Sequence, residues 1–143
     1  MNLAGQTEPE DQPKTAEYYA RLAAAVRLEL WRFELNKRHL QVISVILDLS
    51  FGWGNQTFKA DKLQLFSDLT GLAPQHISAT IDDLCLMRIV AERKVKGEDL
   101  VEYEIEPDSD EWRCQPRQTA EKLIETLHRA KMFNRRTAPA GPT

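Results

Sequence analysis

The chain is poor in the residues that build metal centres and covalent cross-links: two cysteines, Cys85 and Cys114, and three histidines, His39, His76 and His128, in 143 residues. Two thiols do not make a disulfide framework, and Cys85 lies in an apolar run, Leu84-Cys85-Leu86-Met87, where a thiol serves as a small hydrophobe. No histidine stands three or four residues from another histidine or a cysteine, so no local ligand spacing exists and no metal is expected. Nor does any apolar run approach the roughly 20 residues that span a bilayer, which argues against a membrane partner. Residues 1–13 hold Glu8, Glu10 and Asp11 and lack the apolar stretch of a signal peptide; they read as part of a disordered leader over residues 1–14, and the protein as cytoplasmic. Phosphate-binding glycine loops, HExxH helices and nucleophile elbows are also missing, so neither an enzyme nor a cofactor is expected. Asp82-Asp83 can be imagined as paired catalytic acids, but neighbouring helix residues point in different directions.

What is present is the composition of one globular domain, 42% hydrophobic and 29% charged. The net charge of −3 conceals an asymmetry. Residues 1–112 carry 12 basic and 20 acidic side chains, a balance of −8. Residues 113–143 carry seven basic and two acidic ones, a balance of +5. A basic end of this kind suits nucleic acid or an acidic protein partner, and equally an ordinary solvated helix.

Hydrophobic spacing divides the chain. Tyr19, Leu22, Val26, Leu30 and Phe33 recur at three and four residues, predicting a helix from Thr15 that extends toward Leu35. Leu40, Ile43, Ile46 and Leu47, widened by Val42, Val45 and Leu49, predict a core helix over residues 38–51, broken by Gly52-Trp53-Gly54-Asn55. Thr57-Phe58-Lys59-Ala60 reads as a short strand. Asp61 with Gln64 gives a capping-box pattern for a helix over residues 62–70 that buries Leu63, Phe66 and Leu69 and stops at Gly71. Pro74 then suits the first position of a second helix, whose stripe is Ile77, Ile81, Leu84 and Leu86/Met87. Two helices joined by a short glycine turn are a helix-turn-helix. Ile89, Val90 and Val95, a Lys96-Gly97-Glu98-Asp99 turn, and Val101, Tyr103 and Ile105 alternating with Glu102, Glu104 and Glu106 predict a β-hairpin directly after it. The fold expected is mostly α with a small β-wing: a winged helix-turn-helix over residues 15–106 with extra N- and C-terminal helices. An acidic linker (107–116), a C-terminal helix (117–134) bearing Leu123, Ile124, Leu127 and Ala130, and a disordered tail (135–143) complete it.

From Leu28 to Glu106 the chain resembles the N-terminal domain of the bacteriophage replication protein O family. The resemblance rests on the apolar helix ending in Phe51-Gly52-Trp53-Gly54, on Leu63…Leu69-Thr70-Gly71-Leu72 with its TGL turn, and on the frame Ile77…Ile81…Leu84…Ile89-Val90. It implies a winged helix that binds double-stranded DNA, in replication or in transcriptional control, in a phage, plasmid or bacterium. Two features depart from that family. Related recognition helices open on Ser-Arg-Arg, whereas residues 74–87 contain no Lys or Arg and include Asp82 and Asp83. Arg88 also stands where a glycine is usual.

In such folds the second motif helix enters the major groove and cations around it hold phosphates. The base-reading set expected here is Gln75, His76, Ser78, Ala79 and Thr80, with Gln75 able to pair bidentately with adenine. Phosphate contacts are expected from Lys37, Arg38, Lys59, Arg93, Lys94 and Lys96, supported by Lys62 and the basic C-terminal segment. A homodimer through the first or last helix would match two half-sites. The alternative is a protein-binding winged helix, an adaptor or inhibitor docking through Glu102, Glu104, Glu106, Asp108, Asp110 and Glu111 or through the basic tail.

Overall fold

A computed structural model of the chain describes residues 13–137. Helix α1 (Ala16–Glu29) starts where the Thr15 hydroxyl accepts the Tyr18 N–H at 3.2 Å. Tyr18, Tyr19, Leu22 and Val26 are buried, as the spacing requires. The helix stops short of Phe33: it tightens into a 3₁₀ turn at Leu30–Arg32, and Phe33 is extended. Arg32 donates to the fully buried Glu29 carboxylate at 2.7 Å, and the Phe33 ring packs against Trp112 at 5.1 Å. That tertiary contact overrides the helical periodicity.

Helix α2 (Lys37–Leu49) is the centre of the core, with Val42, Ile43, Ile46 and Leu47 completely buried. It ends two residues earlier than the apolar pattern suggests, where Ser50 bonds back to the Ile46 carbonyl at 2.6 Å. A second 3₁₀ turn, Phe51–Trp53, closes on Gly54 in a left-handed conformation (φ 78°), one that glycine adopts without a Cβ penalty.

Strand β1 (Thr57–Ala60) leads into α3 (Gln64–Thr70), and Gly71 (φ 80°) terminates α3. The Asp61 cap is not formed. Leu63 occupies the cap position in a helical conformation, so the helix begins two residues later than the capping box assumes. Phe66 is fully buried, whereas Leu69 faces solvent. Helix α4 (Pro74–Leu86) begins on Pro74 and buries Ile77, Ile81 and Leu84, while Leu86 is 78% exposed rather than part of the stripe.

Strands β2 (Val90–Lys94) and β3 (Val101–Ile105) form the wing. β1 adds to the far edge of β3, giving an antiparallel sheet of order β1-β3-β2. The register pairs Lys59 with Glu102 and Glu102 with Arg93. Phe58, Phe66 and Tyr103 stack within 5.2–5.8 Å of one another and fasten the sheet to α3. Three large rings buried together contribute roughly 1.5–3 kcal/mol each.

Residues 107–116 are not a free linker. They contain a 3₁₀ turn, Ser109–Glu111, and the buried Trp112, whose indole N–H donates to the Glu106 carbonyl at 2.8 Å. The backbone then bonds from Arg113 N to Met87 O and from Glu34 N to Gln115 O. Helix α5 (Ala120–Thr137) follows; its first turn packs through Ala120 and Leu123, and it runs past the expected end into the segment read as a tail. The leader, except for residues 13–14, and residues 138–143 of the tail lie outside the described residues.

Candidate nucleic-acid interface

The site is assembled by the start of α2 meeting the side of α4. Asn36 caps α2, accepting the His39 N–H at 2.9 Å, while its own N–H donates to His39 Nδ1 at 3.2 Å. With Nδ1 an acceptor, the proton of the neutral ring sits on Nε2, which donates to Asp83 Oδ2 on α4 at 3.4 Å. One residue earlier, Arg38 donates from Nη1 to His76 Nδ1 at 3.1 Å. Guanidinium is a donor only, so His76 accepts here. These two contacts set Arg38 beside the first turn of α4 and place a donor against one of its two aspartates.

Gln75, Ser78 and Ala79 are exposed on α4, and His76 is half-buried beside them. No side chain caps the start of α4, and Pro74 brings no N–H of its own. The helix therefore presents a positive dipole end together with Arg38 and the exposed Lys37. Lys94 and Lys96 are exposed at the wing end, beside the left-handed Gly97 (φ 82°).

Three expected residues stand elsewhere. Thr80 is buried, and its hydroxyl donates to the His76 carbonyl at 2.7 Å, which removes it from any base edge. Arg93 donates to Glu102 and Glu104 at 3.0 and 2.8 Å, so it neutralises the outer face of the sheet. Those carboxylates and their hydrogen-bonding hold its guanidinium above its ordinary value. Lys59 lies opposite Glu102 on the same face. The acidic stripe of β3 is thus largely matched inside the protein; Gln56 and Thr57 also donate to Glu104 and Glu102.

Asn36 and His39 were not among the expected residues. The signal was present as Asn-x-x-His, a capping box with histidine in place of the usual Glu or Gln. Arg88 is the one non-glycine residue with positive φ (59°) among the described residues, which explains why a glycine suits that position.

Two short helices joined at Gly71, a core helix braced against the second of them and a small three-stranded antiparallel sheet give a mostly α, winged-helix-like fold. Residues 13–112 match the family model described as bacteriophage replication protein O. The match covers well over half of the chain, which belongs to that family, and its role is in phage DNA replication. No curated protein and no solved structure matched. None of the helices among the described residues is long and apolar enough to cross a membrane.

Proposed function

We propose that this chain binds double-stranded DNA in phage replication initiation, with the first two turns of α4 in the major groove and the wing end on the adjacent backbone. It acts as a binding module, not as an enzyme. The observation that carries this reading is the junction of α2 and α4: Arg38 held at His76 by a 3.1 Å contact, next to the exposed Gln75 and Ser78 and an uncapped helix start. Gln75 is the base reader, because its amide matches the donor–acceptor pair of adenine. Lys37, Arg38, Lys94 and Lys96 hold phosphates. Lys59 and Arg93 have no part in it, since carboxylates already face them.

The acidic outer stripe of α4, where Asp82 is exposed, confines the contact to the start of the helix. Affinity therefore comes from few phosphate pairs and must be salt-sensitive. Measured by fluorescence anisotropy on duplex DNA from the phage replication origin, log Kd should rise linearly with log salt. Replacing Lys94 and Lys96 together by Ala should flatten the slope by about 2, near one per lost phosphate contact. Absence of duplex binding at low salt would reject the reading.

A further inference from the structure

The 3₁₀ turn Leu30–Arg32 spreads its three side chains apart, because each step of such a turn rotates by about 120°. Leu30 turns into the core, and Arg32 turns back to the buried Glu29 carboxylate. Trp31 is left pointing outward, 64% exposed. Among the described residues its indole meets no other ring, and its N–H has no acceptor. An exposed aromatic side chain is by itself ordinary. This one stands in a hollow of about 270 Å³ lined also by Leu30, Leu40, Arg27 and Arg117. That is smaller than the roughly 300–1,000 Å³ of sites that enclose drug-sized molecules, and it suits one planar group.

Arg117 comes from a distant part of the chain and is set there by backbone bonds. Its N–H donates to the Arg32 carbonyl, Phe33 bridges to Pro116, and Gln118 Nε2 donates to the Trp31 carbonyl at 3.3 Å. Arg117 is exposed, and its guanidinium has no carboxylate partner among the described residues. Glu121 shares the next hollow with it but forms no ion pair. Arg27 is paired with Asp48, yet both ends of that pair are exposed, and such a pair is weak and screened by salt.

An indole face with guanidinium groups beside it is the arrangement that holds an unpaired nucleobase: the ring stacks on the base, and the cations take the flanking phosphates. A duplex cannot use it, since paired bases show their edges to the grooves and keep their faces stacked inside. An acidic peptide would satisfy the arginines while leaving the indole without a planar partner. We infer that Trp31, with Arg27 and Arg117, forms a second nucleic-acid site, which stacks an unpaired base of a single strand and holds its phosphates. Arg38 and Leu40 stand about 200° apart around α2, so this site opens on the side of that helix away from the Arg38–His76 contact. A single strand at Trp31 and a duplex at the start of α4 can then be held together, and the site at Trp31 stands whether or not α4 reads duplex.

Fluorescence anisotropy of the full chain with a short labelled oligothymidine at low salt tests it. Trp31→Ala should weaken binding about 5- to 100-fold, and Trp31→Phe should keep most of the affinity. Arg117→Gln should lower the salt slope by about 0.7, the value of one phosphate contact on a single strand. Trp53→Ala removes an equally exposed indole beyond the other end of α2 and should leave binding unchanged. Circular dichroism should show every variant folded, because the altered side chains are all exposed. Trp31→Ala should bind duplex as the wild type does. An oligouridine that loses affinity in the same way would extend the site to single strands of either sugar. No binding of either strand at low salt, undiminished binding by Trp31→Ala, an equal loss in Trp53→Ala or a matching loss of duplex affinity would overturn the inference. So would a glutamate-rich peptide that binds more tightly than the strands and loses that affinity in Trp31→Ala, which would make the hollow a protein contact.

Discussion

His39 on α2 donates its Nε2–H to the Asp83 carboxylate on α4 at 3.4 Å, because Asn36 has already claimed Nδ1 for the helix cap. A backbone cap thereby fixes a side-chain tautomer, and the tautomer leaves the proton on Nε2, the nitrogen that faces Asp83 on α4. Asp82 is exposed and has no such contact with His39.

The two aspartates should therefore respond unequally. Asp82→Asn should tighten duplex binding by about 1.5- to 5-fold at low salt, the worth of one exposed like-charge repulsion. Asp83→Asn should gain less, because it also weakens the His39 contact between α2 and α4. Anisotropy titrations of both variants at one salt concentration make the comparison.

Arg88 sits at φ 59°, a conformation that costs a side-chain-bearing residue roughly 1–2 kcal/mol. Arg88→Gly should stabilise the fold by about 0.5–1 kcal/mol after the added chain entropy of glycine is subtracted. Urea denaturation reads the gain; an unchanged or lowered midpoint would mean that the Arg88 side chain contributes more than its backbone costs.

Glu106 gives a pH signature opposite to that of a salt-bridged acid. Its folded-state pKa is raised by burial and by the carboxylates of Asp108, Glu111 and Glu104, so the native state favours the protonated form. The group's contribution to stability is thus greatest at low pH and falls as pH climbs from the ordinary glutamate value through the raised one. Glu106→Gln should raise the denaturation midpoint at pH 7, and the advantage should vanish below about pH 4. Parallel melts of wild type and variant across that range check it.

Trp112 makes residues 107–116 part of the domain. Trp112→Ala removes the Phe33 contact and the indole hydrogen bond to the Glu106 carbonyl, and should cost about 3–5 kcal/mol. A chain truncated after Glu106 should be correspondingly less stable, which thermal melts would show.

Much of this fold was legible in the sequence because periodicity and turn chemistry agree. Gly71 and Pro74 delimit the motif turn, and Tyr103 and Ile105 alternate with Glu102 and Glu104 as a half-buried strand must. What was not legible depends on contacts distant in sequence. Phe33 leaves the α1 stripe for Trp112, the acidic segment is held by that same indole, and Leu69 and Leu86 are apolar yet exposed. For the site, the start of α4 was readable from Gln75 and His76, but the pairing of Arg38 with His76 crosses 38 residues and has no local signature. Thr80 falls inward because it shares the side of α4 that carries Ile77, Ile81 and Leu84. Arg93 and Lys59 are set opposite Glu102 by strand register, which no single-strand pattern encodes.

The most direct measurement is an amide chemical-shift map of isotopically labelled protein titrated with duplex DNA from the phage replication origin. The account predicts perturbations gathered at residues 36–38, 74–79 and 94–97, with the outer face of the sheet around Lys59 and Arg93 unmoved. Shifts confined to that face or to α5, with residues 74–79 silent, would contradict it.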